Sequence, residues 1–136
     1  AYGTTYQADG KIPKDISPFE GLIIPGGKYV QATVDEDTEI KELARTFKTQ
    51  NKYLMALCAG PRFLMQADLI DGDFTCYPGA EKDQIRGHYL KGQKAVVDGR
   101  LITARSAGSV YDFVFAIIKT LKGQKALETF QKNISY

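Results

Sequence analysis

The residues best placed to do chemistry lie at the ends of two apolar runs. Cys58 follows Tyr53–Leu57 and is itself followed by Ala59, Gly60 and Pro61 before a second apolar segment begins. A strand that ends in a nucleophile, turns through small residues and enters a helix is an elbow. Its neighbours must be small because the turn is tight, and the nucleophile's own backbone is strained. Unpaired amides at the start of that helix, with the positive end of its dipole, favour thiolate over thiol. The other run, "GLIIP", closes on Gly26 and Gly27. An amide from that turn, together with the N–H of Ala59, would hold a developing oxyanion. The plainer reading of Cys58 is a small hydrophobe at a strand end. The adjoining Ala-Gly-Pro and the matching Pro-Gly-Gly favour the elbow.

Other chemically able residues have two readings each. Cys76 and Tyr77 are consecutive in "DFTCY", expected as a short strand, so they face opposite ways. Tyr77 is taken as the one nearer the site and Cys76 as core. Arg105 follows the strand-like "RLITA" and is either a solvated strand end or an anion holder at a carboxyl edge. His88, the only histidine, lies in the polar segment "KDQIRGHYLKGQK" and reads as a solvated loop residue rather than a base. Cys58, Cys76 and His88 lack metal-ligand spacing, and neither a metal nor another cofactor is expected.

The elements that must position these residues alternate. "GLIIP" has the continuous apolar pattern of a strand buried on both faces. In "TEIKELARTFKTQNK" the residues Ile40, Leu43, Ala44 and Phe47 form one helical face, with Asp35 or Asp37 as cap and Lys48 and Lys52 at the far end. Asp98-Gly99 between two apolar runs is a hairpin signal. "SVYDFVFAIIKTLKG" reads as a helix capped by Ser109, with Val110, Phe113, Val114, Ile117, Ile118 and Leu121 on its apolar face and Gly123 as its stop. A last amphipathic segment spans Lys125 to Ile134. Strand and helix in alternation imply a parallel sheet with helices on both faces, where functional groups gather at the carboxyl ends of strands.

Composition bounds the partners. The chain has 136 residues, 43% hydrophobic and 25% charged, which fits one globular domain. A formal net charge of +2, without blocks of like charge, gives no footprint for nucleic acid or a membrane surface. No apolar stretch approaches the ~20 residues that span a bilayer. Two cysteines without a dense framework suggest free thiols in a reducing, cytoplasmic setting.

"FEGLIIPGG", "MALCAGP", "FTCYPG" and "VVDGRLITARSAGSVYDFVFAIIKTLKG" together resemble the ThiJ/PfpI superfamily, in its DJ-one-like branch, from about Asp9 to Lys125. The resemblance implies a flavodoxin-like α/β three-layer sandwich with a mostly parallel sheet, related to class I glutamine amidotransferases and usually dimeric. It implies a cysteine used in glyoxalase III-type or deglycase-type chemistry, in oxidation sensing, or in both. The family's cysteine maps onto Cys58 and its oxyanion backbone onto Gly27 and Ala59. Its frequent histidine falls at Tyr77. Its arginine falls at Arg105, followed here by Ser106, Ala107 and Gly108 instead of Gly-Pro-Gly. A protease is disfavoured because Ala59 stands where that branch has histidine, and an amidotransferase because no late His-x-Glu pair exists. The family's first strand-helix-strand unit, about fifty residues carrying the carboxyl group that meets the cysteine, has no counterpart here. The chain is therefore expected to be a single domain lacking that unit, or one that borrows it from a separate N-terminal segment. Expected partners are a small carbonyl compound or an oxidant, and a second copy of the chain. Two functions follow: an enzyme acting on α-oxoaldehydes, or a non-enzymatic oxidative-stress sensor or chaperone that works through oxidation of Cys58.

Overall fold

The computed structural model describes residues 3–136. In chain order the elements are β1 (Gly21–Ile24), α1 (Lys28–Thr33), α2 (Thr38–Thr49), β2 (Tyr53–Leu57), α3 (Pro61–Gln66), β3 (Asp73–Phe74), β4 (His88–Tyr89), β5 (Ala95–Asp98), β6 (Leu101–Ala104), α4 (Val110–Lys122) and α5 (Gln124–Asn133). Short 3₁₀ turns lie at Ala80–Asp83 and Ala107–Ser109. The main sheet has the order β1-β2-β6-β5. β1, β2 and β6 run parallel, while β5 is antiparallel to β6 across the expected hairpin, where Gly99 takes φ 56°. The fold is thus an α/β sandwich of flavodoxin type with a mostly parallel sheet.

Alternation along β2 divides the core. Leu54 and Ala56 face one side, packed with Ile24, Val34, Ala44, Phe47 and Phe63. Met55 faces the other, with Ile102, Ala104 and Phe113. Helix α2 supplies Ala44 and Phe47 to the first layer, and Asp37 caps it by accepting from the Ile40 amide at 3.3 Å. Helix α4 covers the second layer, with α5 packed outside it through Leu127.

Several expectations are corrected. β1 is not buried on both faces: Ile23 is 52% exposed, because β1 is an edge strand and α4 packs on β6 and β5, away from it. "DFTCY" is a strand only at Asp73–Phe74, paired with His88–Tyr89 in a separate two-stranded sheet. The Thr75 amide donates to Thr103 Oγ1 at 2.9 Å, which takes the backbone out of that ladder. His88 therefore sits on a short strand rather than in a loop, though its side chain stays solvated, 3.1 Å from Asp73 Oδ1. Ser109 occupies the N-cap position of α4 but gives no side-chain cap, since the helix is entered through a 3₁₀ turn that buries the serine. On the expected apolar face of α4 only Phe113 is fully buried, and Val110 is exposed. Helix α1 has no signal in sequence because it is one and a half turns long and starts at Gly27 without a side-chain cap.

Candidate active site

Cys58 is the point at which β2 turns. Its amide donates to the Ala104 carbonyl at 2.9 Å, carrying the β2–β6 register one step past the strand, and its φ is +63°. That left-handed value in a residue with a β-carbon costs on the order of 1 kcal/mol or more. It is the strain expected of a nucleophile elbow. Gly60 donates to Leu57 to close the turn, and α3 begins at Pro61.

The two strand ends touch here. A β-carbon on Gly26 would lie 2.6 Å from Cys58 Cβ and 2.8 Å from the Ala59 nitrogen. One on Gly60 would lie 2.3 Å from the Ile24 carbonyl oxygen. Only glycine allows the β1 turn and the elbow to approach this closely. The amides of Gly27 and Ala59 donate to no backbone acceptor in the turns and loops of the described residues. Gly27 reaches its place with φ +120°. The structure thus brings Gly26 against Cys58 and Ala59, with Gly27 next in the chain.

The segment after β3 closes the site from one side. The Tyr77 amide donates to the Cys58 carbonyl at 2.8 Å, and Ala80 donates back to Tyr77. Tyr77 is 44% exposed and borders a cleft of about 280 Å³, whose lining includes Gln31, Ala59, Arg62, Gly79 and Lys82. Cys76 is fully buried, as expected, although it lies beyond the strand rather than on it. Burial, then the negative charge of Glu81, pushes its thiol up to about 12. Cys58 is half-buried, and both thiols are free.

Arg105 lies just past the end of β6, its amide bonded to the Lys94 carbonyl at 2.9 Å. It is not among the residues that line the cleft. Burial raises the Tyr89 phenol, the neighbouring Cys76 and Glu81 add to this, and Arg105 opposes it. The Tyr89 hydroxyl is buried without a hydrogen-bond partner. Sequence reasoning missed Arg62 and its place at the cleft. The available signal was a lone arginine inside the apolar run "PRFLM". It is 5% exposed, and its Nε donates to Asp83 on the 3₁₀ turn.

A mostly parallel α/β sandwich with a strained cysteine between β2 and α3, facing a glycine turn at the end of β1, defines the class of cysteine-elbow proteins. Residues 2–120 match the DJ-1/PfpI family, and the chain belongs to it. It is 29% identical over 109 residues to a Parkinson disease protein 7 homolog of Danio rerio, covering 78% of this chain and 58% of the relative. It is 28% identical to the glutathione-independent glyoxalase DJR-1.2 of Caenorhabditis elegans, covering 84% of this chain and 61% of that protein. The crystal structure of Drosophila melanogaster DJ-1beta superposes with a TM-score of 0.77 at 25% identity, covering 85% of this chain and 63% of the other. The chain therefore spans about three fifths of the length of these relatives. Among the described residues, no helix is long and apolar enough to cross a membrane.

Proposed function

We propose that Cys58 is the nucleophile of a glyoxalase- or deglycase-type reaction on α-oxoaldehydes. The observation that carries this reading is the φ of +63° at Cys58 beside the free amides of Gly27 and Ala59. The thiolate adds to the aldehyde carbon of a compound such as methylglyoxal, forming a C–S bond and an alkoxide that the two amides hold. Protonation gives a hemithioacetal. Moving the proton from the former aldehyde carbon to the adjacent carbonyl carbon yields a thioester, and water releases the 2-hydroxy acid with the thiol restored. The proton shift needs a base at the sulfur. Glu81 and Asp83 are the carboxylates that bear on the neighbouring Cys76, and no described carboxylate hydrogen-bonds Cys58. Among the described residues no carboxylate is therefore assigned as that base. The similarity to a protein named as a glyoxalase supports the reading. Methylglyoxal loss and hydroxy-acid formation, compared between the wild type and Cys58→Ala, test it. Equal rates in the two proteins would reject it.

The free amides favour a second reading as well. In this reading they hold the oxygens of a cysteine sulfinate, and Cys58 acts as an oxidation sensor. Peroxide treatment then adds two oxygens to the Cys58 peptide. A Cys58–Cys76 disulfide as the main product would reject this reading, since Cys76 is fully buried.

A further inference from the structure

We propose that the cleft beside Cys58 selects carbonyl compounds that carry a carboxylate, and that Arg62 is the residue that reads it. The inference rests on the α-oxoaldehyde reading of Cys58 and names the class of compound within it. A guanidinium has five N–H donors and no acceptor. Arg62 gives the one at Nε to Asp83. Its other carboxylate neighbour is Asp35, whose Oδ1 lies 3.9 Å from Nη2, beyond hydrogen-bond reach, on a side chain 77% exposed to water. Among the described residues the terminal nitrogens of Arg62 therefore donate to no side chain or carbonyl, although the residue is more than nine-tenths buried. Those nitrogens are not among the buried polar atoms left without a partner, so they reach solvent, and since Arg62 lines the cleft the fork is open to a ligand there.

The rest of the lining fits the same ligand. Lys82 brings an ammonium, Tyr77 a hydroxyl and Gln31 an amide, while Asp83, Asp35 and Glu81 are all absent from the lining. Every polar side chain of the wall can thus donate, two of them are cations, and the acids around it have other partners. Asp83 accepts from Arg62 Nε, Asp35 accepts from Gln66 Nε2 at 2.7 Å, and Glu81 accepts from the Gly79 amide at 2.6 Å. Ala59, which follows the nucleophile, forms part of the same wall. A compound with its carboxylate on Arg62 thus sits in a cleft that reaches the residue next to the elbow cysteine. A planar fork matches a carboxylate in two hydrogen bonds, which a neutral carbonyl compound cannot exploit.

Iodoacetate and iodoacetamide provide the test, because they differ only in carboxylate against amide. In each case the thiolate sulfur attacks the methylene carbon, a C–S bond forms, the C–I bond breaks and iodide leaves. The rate ratio at Cys58, iodoacetate over iodoacetamide, is measured by peptide mass spectrometry and divided by the ratio for the denatured chain. The expected normalised ratio is about tenfold above one. Arg62→Gln should bring it near one, and the exposed Lys82→Gln should lower it about twofold. Lys125→Gln, the same charge change on the remote α5, should leave it unaltered. If Arg62→Gln fails to fold, the wild-type ratio and the Lys82→Gln decrease still decide. A native ratio of one, or a raised ratio that neither cleft variant lowers, overturns the proposal. These outcomes are independent of turnover. Methylglyoxal consumption with a ratio of one rejects the anion cleft and leaves the enzyme reading standing. A raised ratio without turnover supports the cleft and counts against that reading.

Discussion

At the scale of single residues, the two cysteines differ in everything that governs reactivity. Cys58 is half-buried at a strained turn, whereas Cys76 has no exposed surface and a thiol pushed up to about 12 by burial, then by Glu81. Iodoacetamide at pH 8 should label Cys58 in the native chain and reach Cys76 only on unfolding, as read by site-resolved mass spectrometry. Equal native labelling would contradict the burial. Cys76 also links stability to pH. Its folded value lies above the ordinary thiol value of 9.0, so its contribution is complete below about pH 9 and is lost as pH rises toward 12. Urea midpoints measured between pH 8 and 11 should fall more steeply for the wild type than for Cys76→Ala. Parallel curves would show that other groups control that range. The left-handed backbone at Cys58 gives a different signature. Cys58→Gly should be more stable than Cys58→Ala by about 1 kcal/mol, because alanine keeps the β-carbon clash and glycine removes it. The reverse order would mean that the turn carries no strain.

At the scale of elements, the site is made by two strand ends that meet through glycine. Gly60 is the tighter contact, since the clash of an added β-carbon is with the Ile24 backbone, which cannot rotate away. Gly60→Ala should lower unfolding free energy by about 3 kcal/mol and slow alkylation of Cys58, as the β1 turn and the elbow are forced apart. Unchanged stability and labelling would show that the strand ends are not coupled. This junction was legible in the sequence because apolar runs closed by "PGG" and "CAGP" encode both the strands and their turns. The α2 cap at Asp37, the Asp98-Gly99 hairpin and the Gly123 stop were legible for the same reason: each is fixed by chemistry within a few residues. The elements that were misread depend on distant partners. Thr75 leaves its strand for the Thr103 hydroxyl, 28 positions away, and no local pattern announces that bond. Arg62 pairs with Asp83 across 21 positions, so its burial, and with it the character of the cleft, could not be read from "PRFLM".

At the scale of the whole molecule, one face of the sheet is incompletely covered. The register places Ile23, Met55, Ile102 and Val97 side by side on the same face. Met55 and Ile102 are buried under α4, but Ile23 and Val97, at the two edges, are 52% and 46% exposed. A helix is about 10 Å wide and strands are about 4.8 Å apart, so α4, packed on β6 and β5, shields roughly two strands of the four and leaves the β1 side open. The second edge of β1 is also unpaired within this sheet. An apolar face beside an open parallel edge calls for one more strand and one more helix. We expect both to come from a segment outside these 136 residues, in keeping with the greater length of the relatives. Ile23→Asp separates the two situations. In the 136-residue chain the substitution is half-solvated and should change the unfolding free energy by less than about 0.5 kcal/mol. In a longer polypeptide that carries the covering strand and helix, the same carboxylate would be buried without a partner and should cost about 3 kcal/mol or more. Urea denaturation of the four proteins measures both effects. A small cost in both backgrounds would show that Ile23 faces water in the longer protein too, and that the added segment packs elsewhere.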